Sequence, residues 1–297
     1  MLDYRVETFL TVCQEMSYTK TAEILNITQP NVSQHIKWLE DLYHRKLFRY
    51  QGRRLTLTPA GELLKRTATA MRHEEKLLRE QMAKAEEQSM SLAFGVTKSV
   101  NEGFMKPRIP GFLRKYAGGR IHFTVDNTSQ LLEEINRMNL DFAIVEGNFD
   151  KEVYDYIVLS KERFIPVCAP DYPFRKKIRF LEDLFCETLI VREQGSGSRE
   201  IFHNILRSRN ETFESFSAVM EIGDIGITKE LLKAGNGIAF MYEMAVKQEL
   251  EEGSLKEIGL RDFDVCHEFA LVWLKTKQFS SYYEKLAEEL VKCDEEP

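Results

Sequence analysis

Between residues 17 and 40 the apolar positions mark two short amphipathic helices separated by a break. Ala22, Ile24 and Leu25 give the first, with Ser17 or Thr19 placed to cap it. Asn26-Ile27-Thr28 interrupts the pattern. Thr28 then stands where an N-cap belongs, with Gln29 and Pro30 in the first turn of a second helix. Val32, Ile36 and Leu39 share one face of that helix, and Gln29, Asn31, Ser33, Gln34 and Lys37 fall elsewhere as a polar surface. From Lys46 to Pro59 the period changes to two. Leu55 and Leu57 alternate with Thr56 and Thr58, and Gln51-Gly52 supplies a turn, so a short hairpin is expected.

Residues 59–88 predict one long helix, opened by Pro59 and interrupted only by Gly61 near its start. Leu64, Met71, Leu78 and Ala85 recur at a seven-residue spacing, with Leu63, Ala70 and Leu77 beside them. Such a stripe asks for a partner helix, and it predicts a dimerising linker. From Ser91 onward the pattern alternates between strand and helix. SLAFGV, RIHFTV, FAIVEG, FIPVCA, TLIV, GIAFMY and EFALVWL are short β-branched or aromatic runs, and Leu131–Met138 and Ile227–Lys233 are helical stretches between them. This predicts an α/β fold with a mostly parallel sheet, in a segment long enough for two similar lobes.

Charge divides the chain in the same place. The formal net charge is −6, which taken whole argues against a nucleic-acid partner. The first 66 residues, however, hold ten basic and seven acidic residues, against 31 and 40 in the remainder. Arg45, Lys46, Arg49, Arg53 and Arg54 crowd around the hairpin turn. A basic module joined to an acidic one points to nucleic-acid binding by the first. The five cysteines, Cys13, Cys168, Cys186, Cys266 and Cys293, form no Cys-x-x-Cys pair, so free thiols are expected rather than a metal or disulfide framework. No stretch approaches the ~18 uninterrupted apolar residues of a membrane span. The N-terminus lacks the apolar core of a signal peptide, so a cytoplasmic protein with no membrane partner is expected.

The helix pair carries the chemistry for reading double-stranded DNA. Gln and Asn amides can pair with adenine in the major groove, and Ser hydroxyls can serve either donor or acceptor. Thr28, Gln29, Pro30, Asn31, Ser33 and Gln34 are therefore the candidate base-reading segment. Lys37, Arg53 and Arg54 are candidates for phosphate contacts that fix register. Phe9, Thr21-Ala22, Leu25, Thr28-Gln29-Pro30, Val32-Ser33, Ile36, Leu39-Glu40 and Leu47-Phe48 stand in a specific order, completed by Arg53 and Leu57-Thr58-Pro59-Ala60-Gly61. This segment resembles the winged helix-turn-helix of LysR-type transcriptional regulators. Two positions depart from the family pattern. Tyr43 is read as standing where the family has Gly, so the chain needs another way to turn there, and Tyr50 replaces an Arg of the wing.

The resemblance implies a winged helix-turn-helix over 1–58 (helix-turn-helix about 18–37), a dimerising linker helix over 59–88 and an effector domain over 89–297. That domain would be bilobed and periplasmic-binding-protein-like, with lobe I about 89–162 and 268–297 and lobe II about 163–267. The chain is expected to cross between lobes near Glu162–Ile165 and to return near Val265–Phe269. Phe142 to Gly147, VREQGSGSR (Val191 to Arg199), Glu221-Ile222-Gly223 and Ala234 to Ala239 match the lobe segments. The resemblance also implies a homotetramer built as a dimer of dimers, and contact with RNA polymerase. The heptad stripe by itself supports a dimer.

Thr97, Lys98, Ser99, Thr128, Ser129, Ser196 and Ser198 lie just after strands and before helices. Free N–H groups and hydroxyls at such places can hold a carboxylate, phosphate or sulfate, so a small polar or anionic metabolite is the expected effector and no cofactor is called for. Thr128 and Ser198 also fit a plainer role as caps of their own helices. Asp224 has two readings, an N-cap or a contact to a ligand that carries a donor as well as an anion.

Two other function classes fit the sequence less well. An enzyme lacks its usual constellations: His122, His203 and His267 have no nearby Cys or carboxylate cluster at ligand or relay spacing. Arg199 stands where a G-x-S-x-G elbow needs its second Gly. A solute-binding protein would share the lobes but would need a secretion signal. The expectation is therefore a non-enzymatic, effector-responsive transcription factor.

Overall fold

A computed structural model of the chain describes residues 3–52, 54–85, 91–114, 116, 118–275 and 280–292. The chain falls into two compact units, the first containing the helix-turn-helix and long-helix segments and the second the strand-rich remainder.

In the first unit α1 (Tyr4–Glu15), α2 (Tyr18–Ile24) and α3 (Gln29–Tyr43) precede a hairpin of β1 (Phe48–Gln51) and β2 (Arg54–Leu57), followed by α4 (Pro59–Ala85). Of the two caps expected for α2, Ser17 takes the role, accepting from Lys20 N at 3.3 Å. Asn26 in the left-handed region (φ 52°) makes the break. Thr28 caps α3, its hydroxyl accepting from Asn31 N at 3.4 Å. Val32, Ile36 and Leu39 are buried against Phe9, Val12 and Leu47, each such side chain contributing about 2 kcal/mol by leaving water.

The expectation about Tyr43 is corrected. Tyr43 is the last helical residue of α3, and the turn is made one position later by His44, at φ 52° and ψ 36°. Two hydrogen bonds hold it, His44 N to Asp41 O (3.4 Å) and Arg45 N to Glu40 O (3.1 Å). They satisfy carbonyls that the helix end leaves free. The Glu40 side chain then accepts from Leu47 N (3.0 Å) and Lys46 Nζ (2.5 Å), fastening the start of the hairpin to the helix.

β1 and β2 pair antiparallel from Phe48↔Leu57 to Gln51↔Arg54, with Gly52 at φ 62° in the turn. Arg53 lies outside the described residues. Gly61 in α4 lets the helix approach the hairpin, since a Cβ there would sit 2.1 Å from Leu47 O. Along α4 the expected stripe divides. Leu64 packs against the core of its own unit, whereas Leu63, Met71 and Leu78 are exposed. The side chains of Leu77 and Ala85 lie outside the described part.

The second unit begins with β3 (Ser91–Thr97). A continuous helical run follows, made of α5 (Lys98–Val100), one π turn (Asn101–Met105) and α6 (Lys106–Arg114). Next come β4 (Arg120–Asp126), α7 (Thr128–Asn136), β5 (Phe142–Val145) and the long β6 (Tyr154–Cys168). The chain continues through β7 (Thr188–Val191), α8 (Gly197–Ser208), β8 (Ala218–Glu221), α9 (Ile225–Lys233) and β9 (Ile238–Tyr242). It finishes with α10 (Lys247–Glu251), β10 (Lys256–Glu257), β11 (Val265–Leu274) and α11 (Ser280–Lys292).

The sheet order is β4-β3-β5-β11-β6-β9-β7-β8, with β10 on β6. The expected mostly parallel sheet is corrected to a mixed one. β3 pairs parallel with β4 and β5, and β7 with β8 and β9, but β5/β11, β11/β6, β6/β9 and β10/β6 are antiparallel. The reason is the double crossing. β6 runs from one lobe into the other and β11 runs back beside it, and a strand that returns directly pairs antiparallel without a crossover helix. Glu162–Ile165 and Val265–Phe269 lie within this shared ribbon, where a register shift at Phe269/Ala270 leaves Leu159 unpaired. Each lobe has its own core, one around Leu131, Ile135, Ala143 and Val272, the other around Val167, Ile190, Leu232 and Ala239.

Candidate nucleic-acid interface and interlobe cleft

At about 100° per residue, Gln29, Ser33, Lys37 and Gln34 share one stripe of α3, and Pro30 lies beside them. Gln29, Gln34 and Lys37 are exposed. Gln29 Nε2 donates to Ser33 Oγ at 3.1 Å, which presents amide and hydroxyl as one polar pair. Thr28 and Asn31 are exposed in the cap and first turn, Asn31 outside the stripe on the side of Trp38. That other side is occupied by contacts the sequence did not announce. Thr8 Oγ1 meets His35 Nδ1 at 2.9 Å, and the Arg5 guanidinium stacks 3.9 Å over the Trp38 ring. They brace α3 against α1 and leave the polar stripe free. On the hairpin Arg54 is exposed, as is Tyr50 at 68%.

In the second unit the candidate effector residues gather where the lobes meet. β3 ends at Thr97, whose hydroxyl donates to Glu146 Oε2 at the end of β5. Thr128 Oγ1 donates to Glu146 O at 2.9 Å. Thr128 therefore does not cap α7, a role held by Asn127, which accepts from Gln130 N at 3.0 Å. Ser196 occupies the N-cap position of α8 without a side-chain capping bond, and Ser196 Oγ and Ser198 Oγ bond each other at 3.0 Å. Thr97, Ser99, Thr128, Ser196 and Ser198 are all buried. Ser129 is exposed, and its N–H reaches Gly195 O of the opposite lobe at 3.4 Å. Of its two readings, Asp224 has the geometry of the cap: it is exposed and accepts from Ile227 N at 2.8 Å.

The lobes touch through two glycines. A Cβ on Gly197 would lie 2.2 Å from Glu146 O, and one on Gly147 (φ 102°) would lie 2.8 Å from Gly197 Cα. Behind this contact is a cavity lined by Ser99 from one lobe and by Arg192, Ser198, Phe202, Thr228 and Tyr242 from the other. Four residues of this region were not singled out from sequence: Glu146, Arg192, Glu193 and Tyr242. Glu146 is 1% exposed. Burial pushes its carboxyl up to about 7, against the opposing pull of its backbone hydrogen bond, the Arg192 charge and the Ser99 hydroxyl. The Tyr242 hydroxyl is buried without a hydrogen-bond partner, and burial raises its pKa, with Glu146 and Glu162 adding to the rise. A signal was present in the sequence, since Glu146 closes an otherwise apolar run.

Both segments of the chain resemble known proteins. Residues 4–62 match the model of the bacterial regulatory helix-turn-helix protein of the lysR family, and residues 85–292 match the LysR substrate binding domain. YwqM of Bacillus subtilis, an HTH-type transcriptional regulator, is 30% identical over 281 residues, spanning 92% of this chain and 93% of its own. CysL of the same organism is 24% identical over 275 residues, 90% and 89% of the two chains. Among solved structures, full-length LysG of Corynebacterium glutamicum with bound effector Arg has a TM-score of 0.68 at 16% identity, covering 99% and 98%. A full-length OxyR variant from Pseudomonas aeruginosa gives 0.64 at 20% identity, covering 98% and 94%. With a winged helix pair at one end, a two-lobed sheet domain at the other and both family models matched, the chain belongs to the LysR family of transcriptional regulators.

Proposed function

We propose that residues 1–58 bind double-stranded DNA, that 59–88 join two copies, and that 89–297 take a small-molecule effector between the lobes. Gln29, Ser33 and Gln34, with Thr28, Pro30 and Asn31 at the helix entry, read base edges, while Lys37, Arg53 and Arg54 hold phosphate. Two such helices in a dimer would enter successive major grooves about 34–36 Å apart. The exposed Met71 and Leu78 on α4 support the pairing, and a dimer of dimers that contacts RNA polymerase is the assembly we infer. The effector is held by Thr97, Lys98, Ser99, Thr128, Ser129, Ser196 and Ser198. It acts by shifting an equilibrium between subunit arrangements. The protein works beside DNA in the cytoplasm and catalyses no reaction.

The observation that carries this reading is the free polar stripe of α3, whose opposite side is braced by Thr8, Arg5 and the core. Selection from random duplexes tests it. Gln29→Ala and Ser33→Ala should relax preference at one or two base pairs, each pair contributing about 1–3 kcal/mol. Arg54→Ala should weaken all sequences alike and flatten the salt dependence. A change of preference at one base pair from Arg54→Ala would show the roles to be assigned wrongly.

A further inference from the structure

Two cations from opposite lobes converge on one carboxylate in the cleft. Lys98, just after β3, donates from Nζ to Glu193 Oε1 at 2.9 Å and to Gly223 O at 2.8 Å. Arg192, just after β7, grips the same carboxylate with Nε at 2.8 Å from Oε2 and a terminal nitrogen at 3.0 Å from Oε1. The Arg192 side chain is nearly buried and also lines the cavity, together with Ser99, Ser198 and Thr228. Arg199 and Tyr242 also line it, and one wall is apolar, with Ile225, Met241 and the stacked pair Phe202 and Phe240, whose ring centroids are 3.9 Å apart.

We propose that Glu193 holds the place of the effector's acidic group, and that the effector is a small carboxylic acid with a compact apolar body that displaces Glu193 from Arg192 and Lys98. This inference rests on the cleft being the effector site. A planar carboxylate matches the guanidinium fork that Glu193 now fills, and it exchanges one negative charge for one. Glu193 is partly exposed and can turn to water when displaced, while Arg192 and Lys98 stay paired. The hydroxyls of Ser99 and Ser198 can share the incoming acid, and the apolar wall receives its body. Because Lys98 and Arg192 belong to different lobes, the bound acid would replace Glu193 as an ionic tie between them, beside the Lys229–Glu102 pair.

The test measures binding of propionate, benzoate and inorganic phosphate to the full-length protein by calorimetry, in the wild type and in Glu193→Gln and Glu193→Ala. With the internal competitor gone, the Kd for propionate or benzoate is expected to fall about ten-fold, and Arg192→Gln should abolish the binding. The alanine variant keeps the test open where the glutamine variant disturbs folding. Equal carboxylate affinity in the wild type and both variants would overturn the proposal, as would a preference for phosphate. Binding of the same wild-type preparation to selected DNA is read alongside. DNA binding without any carboxylate binding overturns only this inference, whereas absence of DNA binding overturns the regulator reading itself.

Discussion

Replacing Glu146 by Gln is expected to abolish a pH dependence that this one buried carboxyl imposes on the effector domain. The side chain is almost wholly out of water and sits beside Thr97, Ser99 and Tyr242. Its pKa rises from 4.5 to about 7 on folding, chiefly through burial. Between those two values the folded chain keeps a proton that the unfolded chain releases, so stability falls as pH rises, by about 1.4 kcal/mol per pH unit. Over the whole interval the loss is about 3 kcal/mol, complete once the pH has passed through 7. Gln keeps the shape and carries no charge, so the variant should show none of this loss. At pH 8 it should be about 3 kcal/mol more stable than the wild type, and the two should converge below pH 4.5. Urea unfolding between pH 4.5 and 8.5 measures the difference. Trp273 is buried in this unit and stacks on Tyr283 at 4.4 Å. With Trp38 changed to Phe, its fluorescence reports this unit alone. Other titrating groups cancel between the two proteins. Parallel stability curves, offset by a constant at every pH, would refute the reasoning.

Two further perturbations test the backbone. Gly197→Ala places a methyl group 2.2 Å from Glu146 O; the lobes should separate locally at a cost of about 1–3 kcal/mol, seen as faster hydrogen exchange at the Ser129 amide, and unchanged exchange would argue against the close contact. His44→Gly relieves a left-handed residue at φ 52° and should raise stability by about 1 kcal/mol in thermal unfolding of the full chain, a destabilised variant being the contrary result.

Local chemistry made the first unit legible in the sequence. The caps, the break at Asn26 and the stripe of Val32, Ile36 and Leu39 depend on residues within a turn or two of one another. The turn after α3 lies one residue beyond Tyr43, where the family resemblance expects Gly, because the backbone bends at His44. In the second unit the strand and helix runs were readable, but their pairing was not. Whether β5 meets β11 or β9 meets β6 is decided by contacts more than 70 residues apart, which no periodicity encodes. The cleft shows the same division. Hydroxyls at strand ends could be named from sequence. That Thr128 spends its hydroxyl on Glu146 O, and that Asn127 does the capping instead, follows from the approach of β5 to α7. Glu146 left a trace as the one charge closing an apolar run, whereas the Arg192–Glu193–Lys98 cluster emerges only once two lobes close on each other.

We infer that this chain reads DNA through its first unit. Its most direct test is the affinity of the full-length protein for a selected duplex across a salt series, compared with the chain lacking residues 1–88. Tight, salt-dependent binding is expected of the full chain and none of the truncated one. Equal affinity of the two would contradict it.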